Sequence, residues 1–427
     1  MTPVALLRHP IMLSPQSDRL ILRPFVPSDS VHVAAIVARV HALSDEDTQR
    51  ALDTVFEEFG SRHRSLESAL LANCARVLPR RANGTQLSRS RRLLMGAQFS
   101  GEYSLESAAL FNPSIVMHPD QSDAPDGGMR FILSLRSVGE GHISSIQFRS
   151  GTIDAEGGIS VDATTGYVST PIIKPTPRFK RKKVVYTIDF PSTVPVDERV
   201  IFPVSANESN GIEDARFVRF EEGGGSTLYY ATYTAYNGHA ISPQLIETRD
   251  FLHFRVLTLK GNAVRNKGMA LFPRRIGNRY AMLSRQDDQN ILIMFSRDPH
   301  RWSDARVVLR PAETWESVKI GNCGSPIETE AGWLVITHGV GPMRKYCLGA
   351  ALLDLDDPTK VIGRLEAPLV CAQGAEREGY VPNVVYSCGS LLHGRNLILP
   401  FAMSDRATTI ATVSIDKLLG AMVAPAR

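Results

Sequence analysis

The sequence contains few cysteines, and no two of them form a Cys-x-x-Cys pair. The 427-residue chain has five, at widely separated positions: Cys74, Cys323, Cys347, Cys371 and Cys388. Structural zinc sites usually show closely spaced cysteines, and disulfide-rich secreted domains usually show an even number of them. The pattern therefore argues against structural zinc and favours a reducing compartment.

The sequence also lacks an apolar run long enough to span a bilayer. Its first residues, MTPVALLRHPIMLSPQSDR, contain no charged leader followed by a continuous apolar core. A membrane-spanning helix needs about 20 apolar residues, and a secretory signal needs a charged leader before a shorter apolar core. We therefore expect no membrane association and a cytoplasmic location.

A strong net charge is missing as well. The 48 basic and 44 acidic residues give a net charge of +4, and they are dispersed along the chain. Nucleic-acid-binding proteins usually concentrate basic residues on one face. The one basic run, KPTPRFKRKK at residues 174–183, is interrupted by proline and predicts a solvated loop. We expect no nucleic-acid partner, and no feature calls for a metal, nucleotide or organic cofactor.

The first hundred residues carry a helical pattern. Val33, Ile36 and Val40 recur at helical spacing, which indicates an amphipathic helix. Ser44, followed by two acidic residues, marks a helix start, and Gly60 marks a helix end. We predict a helical extension over residues 1–100 that mediates self-association into a homo-oligomer or covers a pocket.

For residues 101–427, the sequence predicts an all-β domain. Short β-rich runs such as TLYYATYTAY, GWLVITHG and NLILPFAM are separated by glycine, asparagine and proline, without convincing long helices. Many short strands at roughly even spacing are typical of a sandwich, a barrel or a propeller. No clean sequence repeat selects among these three architectures.

Five stretches carry a family resemblance. They are GIEDAR (211–216), NKGMALFPRRIGNRYAMLSRQDDQN (266–290), WESVKIGNCGSPIETEAGWLVITHGVG (315–341), LGAALLDLDDPTKVIGR (348–364) and EGYVPNVVYSCG (378–389). In this order and spacing they resemble glycoside hydrolase family 130, the mannoside phosphorylases and related mannosidases. The resemblance extends from AALFNPS (108–114) to ATVSI (411–415) and says little about the first hundred residues.

The resemblance implies a five-bladed β-propeller whose central pocket binds a β-mannoside oligosaccharide and inorganic phosphate. The implied reaction is inverting phosphorolysis to α-mannose 1-phosphate. Asp214 stands at the position of the family's general acid, so it is the expected proton donor to the leaving oxygen. Glu213 and Arg216 form its electrostatic setting, and Glu213 is also a candidate substrate ligand. A lone Glu-Asp-x-Arg turn would otherwise indicate a local ion pair.

Phosphate is already an anionic nucleophile, so the site needs cations that orient it instead of a second carboxylate. The resemblance points to Arg136, Lys267 and Arg285, which we call the cationic clamp. Asn237 is a further candidate for a neutral hydrogen bond to phosphate. The sequence departs from the family pattern at three neighbouring positions, where Ala215, Gly268 and Ser284 replace the common proline, aspartate and histidine.

Sugar recognition has several candidates, each with an ordinary structural alternative. Asp287 and Asp405 follow strand-like runs and are suited to accept hydrogen bonds from mannose hydroxyls, or they cap solvated turns. Tyr236 and Tyr380, together with Trp315, offer ring faces for a sugar, or they pack in the core. His338 in ITHGV belongs to a family motif and is a candidate pocket residue, or it is a satisfied buried histidine.

Two other functions stay open at this point. A β-mannosidase on the same fold needs a carboxylate base, for which Glu316 in TWESVK is available. A non-catalytic sugar-binding propeller needs no acid at all. The three clamp residues favour phosphorolysis, because an attacking water has no use for converging cations.

Overall fold

The computed structural model describes residues 4–78, 87–176 and 184–424, which fall into two compact units. One unit comprises Gln16–Leu105 with Thr165–Ser169, and the other contains the rest of the described chain. Most of the basic run, residues 177–183, lies outside the described residues. No helix in the described ranges has both the length and the apolar character needed to cross a membrane.

The smaller unit is mainly helical. It contains α1 (Ser30–Ala42), α2 (Asp45–Phe59), α3 (Leu66–Val77) and α4 (Arg89–Gln98), and the antiparallel strands β2 (Leu20–Pro24) and β3 (Ser100–Ser104). Ser44 caps α2 by accepting a hydrogen bond from the Asp47 backbone, and Gly60 follows its last residue. Both predicted helix ends are therefore confirmed.

The apolar faces of these helices pack against one another. Val40, Cys74 and Leu94 belong to one buried cluster, and Leu52 and Leu70 belong to a second. The helical periodicity is thus explained by packing within the unit, and self-association stays a prediction. The larger unit begins before this one in the chain, because β1 (Leu7–Leu13) pairs with a strand near residue 410.

The larger unit is built of antiparallel strands, which we divide into five groups in chain order. Group I contains β4 (Ala109–Met117), β5 (Met129–Val138) and β6 (Ser144–Ile153), with β7 (Ile159–Val161) and β10 (Val200–Ile201) paired to β6. Group II contains β8 (Ile172–Pro175), β9 (Val184–Asp189), β11 (Gly211–Glu221), β12 (Thr227–Tyr236), β13 (Ile241–Thr248) and β14 (His253–Thr258). A single parallel bridge between Gly211 and Ser144 joins these two groups.

The remaining three groups follow in order. Group III contains β15 (Ala270–Leu271), β16 (Tyr280–Ser284), β17 (Ile291–Ser296) and β18 (Arg306–Leu309). Group IV contains β19 (Lys319–Asn322), β20 (Ile327–Thr329), β21 (Gly332–Val340), β22 (Tyr346–Leu353), β23 (Val361–Arg364) and β24 (Val370–Cys371). Group V contains β25 (Val385–Tyr386), β26 (Leu391–His393), β27 (Asn396–Met403), β28 (Ala407–Ser414) and β1, and α5 (Ile415–Gly420) follows.

Each buried core lies mainly between two consecutive groups. Phe148 of group I packs with Phe217 of group II, and Phe220 of group II stacks on Tyr280 of group III. Groups III and IV share a core that includes Trp333, and groups IV and V share another. The fifth core joins the last group to the first, with Ile398 and Ile410 packed beside Ile115 and Phe131. Burial of these apolar faces holds the groups together.

One pair of cysteines is bonded. Cys347 on β22 lies opposite Cys371 on β24, and the two form a disulfide with a Cα–Cα distance of 4.5 Å. The two cysteines are 24 residues apart in the sequence, and this spacing does not indicate that they are paired. The overall cysteine spacing, which favoured a reducing compartment, likewise gave no indication of this bond. The cytoplasmic location stays a prediction.

Candidate active site

Strand β11 presents two consecutive acidic residues to one cation. In a regular strand, neighbouring side chains point to opposite faces. The β11–β12 pairing is irregular between Glu213 and Arg216, and Asp214 has a left-handed φ of 53°. As a result, Arg136 reaches both carboxylates, with Nη2 at 2.9 Å from Glu213 Oε1 and Nη1 at 3.5 Å from Asp214 Oδ1.

Asp214 is held from two further sides. Asn112 Nδ2 donates a hydrogen bond of 2.6 Å to Asp214 Oδ1. The buried Arg216 donates from Nη1 to the Asp214 backbone oxygen at 3.0 Å, and its Nη2 lies 3.9 Å from Asp214 Oδ2. Arg216 Nη2 also donates to the Tyr386 hydroxyl at 2.8 Å. These contacts fix the orientation of the Asp214 carboxyl.

The charges around Asp214 determine its protonation. Burial disfavours the ionised carboxyl, but Arg136, Arg216 and Lys267 favour it, and the Asn112 hydrogen bond adds to their effect. The net result is that the pKa of Asp214 lies below its ordinary value. A group that donates a proton near neutral pH must carry that proton first, so a ligand that neutralises these cations would raise the pKa of Asp214 and favour its protonated form.

Glu213 brings two residues of the cationic clamp together. Its Oε1 accepts from Arg136, and its Oε2 accepts from Lys267 Nζ at 2.5 Å. The Glu213 side chain is 12% exposed, so these ion pairs are largely shielded from water. Charged pairs of this kind are stronger than ion pairs on an open surface.

The third clamp residue, Arg285, pairs with His338. Arg285 Nη1 lies 2.9 Å from His338 Nε2. Burial, then the charges of Arg285 and other cations, lowers the pKa of His338 well below its ordinary value. The imidazole is therefore neutral, and Nε2 accepts the hydrogen bond from the guanidinium. Gly321 allows this close approach, because a Cβ there would lie 3.0 Å from Arg285 Nη1 and 2.7 Å from His338 Nε2.

Asp405 is a second carboxyl in the electrostatic field of Asp214. It lies in the turn between β27 and β28 with a left-handed φ of 52°. Burial, followed by the negative charge of Asp214, raises the pKa of Asp405 to about 6. Asn112 has a similar φ of 50°. Left-handed backbone is unfavourable for most residues and often marks functional sites, so the shared conformation of Asn112, Asp214 and Asp405 supports a common role.

Other predicted site residues make local contacts. The Tyr236 hydroxyl donates to the Gly238 backbone oxygen at 2.9 Å, and Asn237 Oδ1 accepts from the backbone of His239 and Ala240. The exposed Asp287 accepts hydrogen bonds from the backbone N–H groups of Gln289 and Asn290 and from the Asn290 side chain. Tyr380 is 71% exposed, with its ring 5.8 Å from the His142 ring. Their predicted contacts with phosphate or sugar stay predictions.

Glu316, the candidate base of a hydrolase, is bound elsewhere. It is fully buried, and its Oε1 contacts Arg364 Nη2 and accepts from the backbone of Ala312 and Glu313. The neighbouring Trp315 donates to the Glu366 backbone oxygen, and its ring packs where Gly339 and Gly349 leave space. Both residues therefore have structural roles in group IV.

Two residues of the Asp214 environment were not singled out from the sequence. Asn112 follows Phe111 at an irregularity of the β4–β5 pairing, inside the stretch AALFNPS. Tyr386 lies in NVVYSCG, and its ring is 4.8 Å from the His338 ring. Asn112 stands directly before a proline, and this pair indicates an unusual backbone conformation that the sequence alone could have shown. Tyr386 has no such local signal, because its partner Arg216 lies 170 residues away in the sequence.

Comparison with known proteins gives the family. The family model described as β-1,4-mannooligosaccharide phosphorylase, glycoside hydrolase family 130, matches residues 192–423. The chain belongs to glycoside hydrolase family 130. A 1,2-β-oligomannan phosphorylase of Thermoanaerobacter sp. (strain X514) is 35% identical over 224 residues, which cover 51% of this chain and 74% of that protein. A β-1,2-mannobiose phosphorylase of Listeria innocua is 31% identical over 235 residues, covering 52% and 64%.

Solved structures of family 130 share the fold. The Listeria innocua β-1,2-mannobiose phosphorylase, in complex with β-1,2-mannobiose, aligns with a TM-score of 0.54 at 20% identity. The alignment covers 75% of this chain and 92% of that one. A glycoside hydrolase of Bacteroides ovatus, described as putative, aligns with a TM-score of 0.53 at 19% identity. Likeness at this identity bears on the fold alone.

Proposed function

We propose that this chain catalyses inverting phosphorolysis of a β-mannoside to α-mannose 1-phosphate and a shortened acceptor sugar. The observation that carries the proposal is the arrangement of Asp214 beside Arg136, with Glu213 joining Arg136 to Lys267. One buried carboxyl serves as the acid, and the cations serve the anionic nucleophile. The names of the curated relatives support the same reaction class.

The reaction assigns one task to each group. A phosphate oxygen attacks C1 of the mannosyl unit from the α face while the C1–O bond to the acceptor breaks. The electron pair of that bond passes to the leaving oxygen, which takes a proton from Asp214 directly or through a sugar hydroxyl. The cationic clamp holds phosphate against the repulsion of Glu213 and Asp214, and Asp405 accepts hydrogen bonds from the sugar.

The hydrolase alternative receives less support. Hydrolysis with inversion needs a carboxylate that activates water. Glu316 Oε1 is bound to Arg364 and to two backbone groups, and its unpaired Oε2 is fully buried, so the carboxylate has a counter-charge and no exposure to solvent. The proposal needs no cofactor, because inorganic phosphate is the co-substrate.

The fold proposed for this reaction is a five-bladed β-propeller. The cyclic order of the shared cores, in which group V packs against group I, supports five blades around one axis. Group I supplies Asn112 and Arg136, group II supplies Asp214, and group V supplies Asp405. We also propose the helical unit as a separate extension, and a cytoplasmic homo-oligomer as the form of the protein.

The decisive experiment measures products with and without phosphate. Purified full-length protein is incubated with β-1,2- and β-1,4-linked mannobiose, and the products are followed by ³¹P NMR and sugar chromatography. We expect α-mannose 1-phosphate, formed only when phosphate is present. Release of free mannose at an equal rate without phosphate would replace the phosphorylase with the mannosidase, and absence of any turnover on all mannosides would leave only sugar binding.

A further inference from the structure

Asn322 is a buried amide whose polar atoms are both unpaired. It is the last residue of β19, and only 1% of its surface is exposed. Within the part of the chain that the structure describes, neither Nδ2 nor Oδ1 has a hydrogen-bond partner. Buried polar groups of folded proteins are nearly always paired, and leaving one unpaired disfavours folding. Asn322 therefore calls for a partner that these residues do not supply.

The amide borders a recess beside the cationic clamp. Gly268, the residue after Lys267, has a φ of 83°, and a Cβ there would lie 3.9 Å from Asn322 Oδ1. The same Cβ would lie 3.5 Å from Arg285 Cβ and 3.9 Å from Arg285 Nε. The absence of a Cβ at Gly268 thus leaves a methyl-sized space between these side chains, which we call the Asn322 recess.

Arg285 is also incompletely paired at this recess. Its Nη1 donates to His338, but its buried Nε has no hydrogen-bond partner in the described structure. The nearest carboxylate oxygen, Asp288 Oδ1, lies 3.5 Å from Nε, and Asp288 is itself exposed and within 3.1 Å of Lys319 Nζ. The guanidinium Nε and the Asn322 amide border the same recess, and a half-turn of the amide about its terminal bond would present Nδ2 in place of Oδ1 to a ligand with several anionic oxygens.

We propose that Asn322 is a phosphate-binding residue whose Nδ2 donates a hydrogen bond to an oxygen of the phosphate that Arg285 holds. This inference rests on the proposed function, in which phosphate is the nucleophile. Asn237 is the neutral donor expected from the sequence; its Oδ1 accepts two backbone hydrogen bonds within its own turn, and its contact with phosphate stays a prediction beside that of Asn322. A neutral donor orients the phosphate without withdrawing as much charge from the attacking oxygen as a fourth cation would.

The test compares two variants from one segment. Asn322→Ala removes the amide. Ser325→Ala is the matched control, because Ser325 Oγ is likewise buried and unpaired in the described chain but lines a different cavity, beside Ile115 and Leu391. Steady-state rates give the KM of each substrate, and the phosphate-induced rise in melting temperature measures binding of inorganic phosphate without mannoside. Asn322→Ser serves as a smaller change if the alanine variant folds poorly.

We expect Asn322→Ala to raise the KM for phosphate about tenfold or more, since a hydrogen bond to a charged ligand is worth at least that factor. The KM for mannoside should stay unchanged, the phosphate-induced rise in melting temperature should shrink, and Ser325→Ala should match the wild type. An unchanged phosphate KM, or a raised mannoside KM alone, would overturn the assignment. Failure of the wild type to bind or consume phosphate would instead overturn the proposed function.

Discussion

Lys267 and Glu213 form a short ion pair, with Nζ 2.5 Å from Oε2. Glu213 also accepts a hydrogen bond from Arg136, so two residues of the cationic clamp share one carboxylate. Phosphate that enters the clamp must compete with Glu213 for these cations. The same carboxylate reduces the positive potential that acts on Asp214, so Glu213 weakens phosphate binding but favours the protonated form of Asp214.

We expect Glu213→Gln to tighten phosphate binding and to slow turnover. Two like charges about 4 Å apart repel by about 1 kcal/mol even in a water-like dielectric, so removal of one charge beside the anion is expected to lower the KM for phosphate about fivefold. The kcat should fall, because the freed cations lower the pKa of Asp214 further. Glu330→Gln, at a side chain that is 95% exposed, provides a control for the change of net charge. A weaker phosphate affinity in Glu213→Gln would show that Glu213 aids phosphate binding, because it orients Arg136 and Lys267, more than its charge repels phosphate.

Asp214→Asn should lose the proton donor while keeping its neighbours. The amide is nearly the same size and can still accept the hydrogen bond from Asn112. General acid catalysis contributes about 10² to 10⁴-fold, so kcat on a mannobiose should fall by that factor. An aryl mannoside whose leaving group needs no proton should lose much less. Comparable losses on both substrates, or activity near that of the wild type, would remove Asp214 from the role of acid.

Phosphate binding should be coupled to proton uptake by Asp214. The pKa of this carboxyl is low because Arg136, Arg216 and Lys267 outweigh the effect of burial. Bound phosphate neutralises part of that charge and raises the pKa, so protons are taken up at about pH 5.5, where free phosphate is mainly a monoanion. Calorimetric titrations in two buffers of different ionisation enthalpy give the number of protons. Asp214→Asn should abolish the difference between buffers, and an unchanged difference would assign the protons to another group.

The sequence was informative where a signal is local. It predicted the ends of α2 at Ser44 and Gly60, because capping and acidic residues act within one turn. It also grouped Asp214 with Arg136 through a family resemblance, and the structure brings them within 3.5 Å. The pattern of short β-forming runs separated by turn residues was sufficient to recognise the β-rich part of the chain.

Long-range pairings carried no such signal. Asn112 meets Asp214 across 102 residues, and Cys347 meets Cys371 only because β22 and β24 are neighbours in group IV. The strand β1 pairs with β28 at the other end of the chain, which the helical pattern of the first hundred residues conceals. These contacts depend on sheet order, which side-chain periodicity does not encode.

Asp405 should make the protein less stable as the pH rises through about 6. Burial and the charge of Asp214 raise its folded-state pKa to about 6, above the value of about 3.9 in an unfolded chain. Its contribution to stability is therefore complete below about pH 4 and is lost as pH passes 6. Asp405→Asn should raise the free energy of unfolding at about pH 8, by up to about 3 kcal/mol, and change little at about pH 4.

Chemical denaturation at the two pH values measures this difference. Asp287→Asn is the matched control, because hydrogen bonds within its turn lower the pKa of Asp287 despite the opposing effect of partial burial. A carboxyl with a lowered pKa stabilises the fold above its unfolded-state pKa, so this substitution should not stabilise the protein at pH 8. An equal effect of Asp405→Asn at both pH values would mean that Asp405 is ionised throughout.

A substitution at Glu316 distinguishes a structural role of this carboxylate from a role as catalytic base. Glu316 is fully buried and binds Arg364, whose side chain is 13% exposed. Glu316→Gln leaves a largely buried guanidinium without its counter-charge, which typically costs about 3 kcal/mol or more. We therefore expect a clear loss of stability in denaturant unfolding, while kcat per folded molecule on mannobiose with phosphate stays close to that of the wild type. Loss of activity without loss of stability would make Glu316 the base of a hydrolase, and phosphate would then be dispensable for turnover of the wild-type protein.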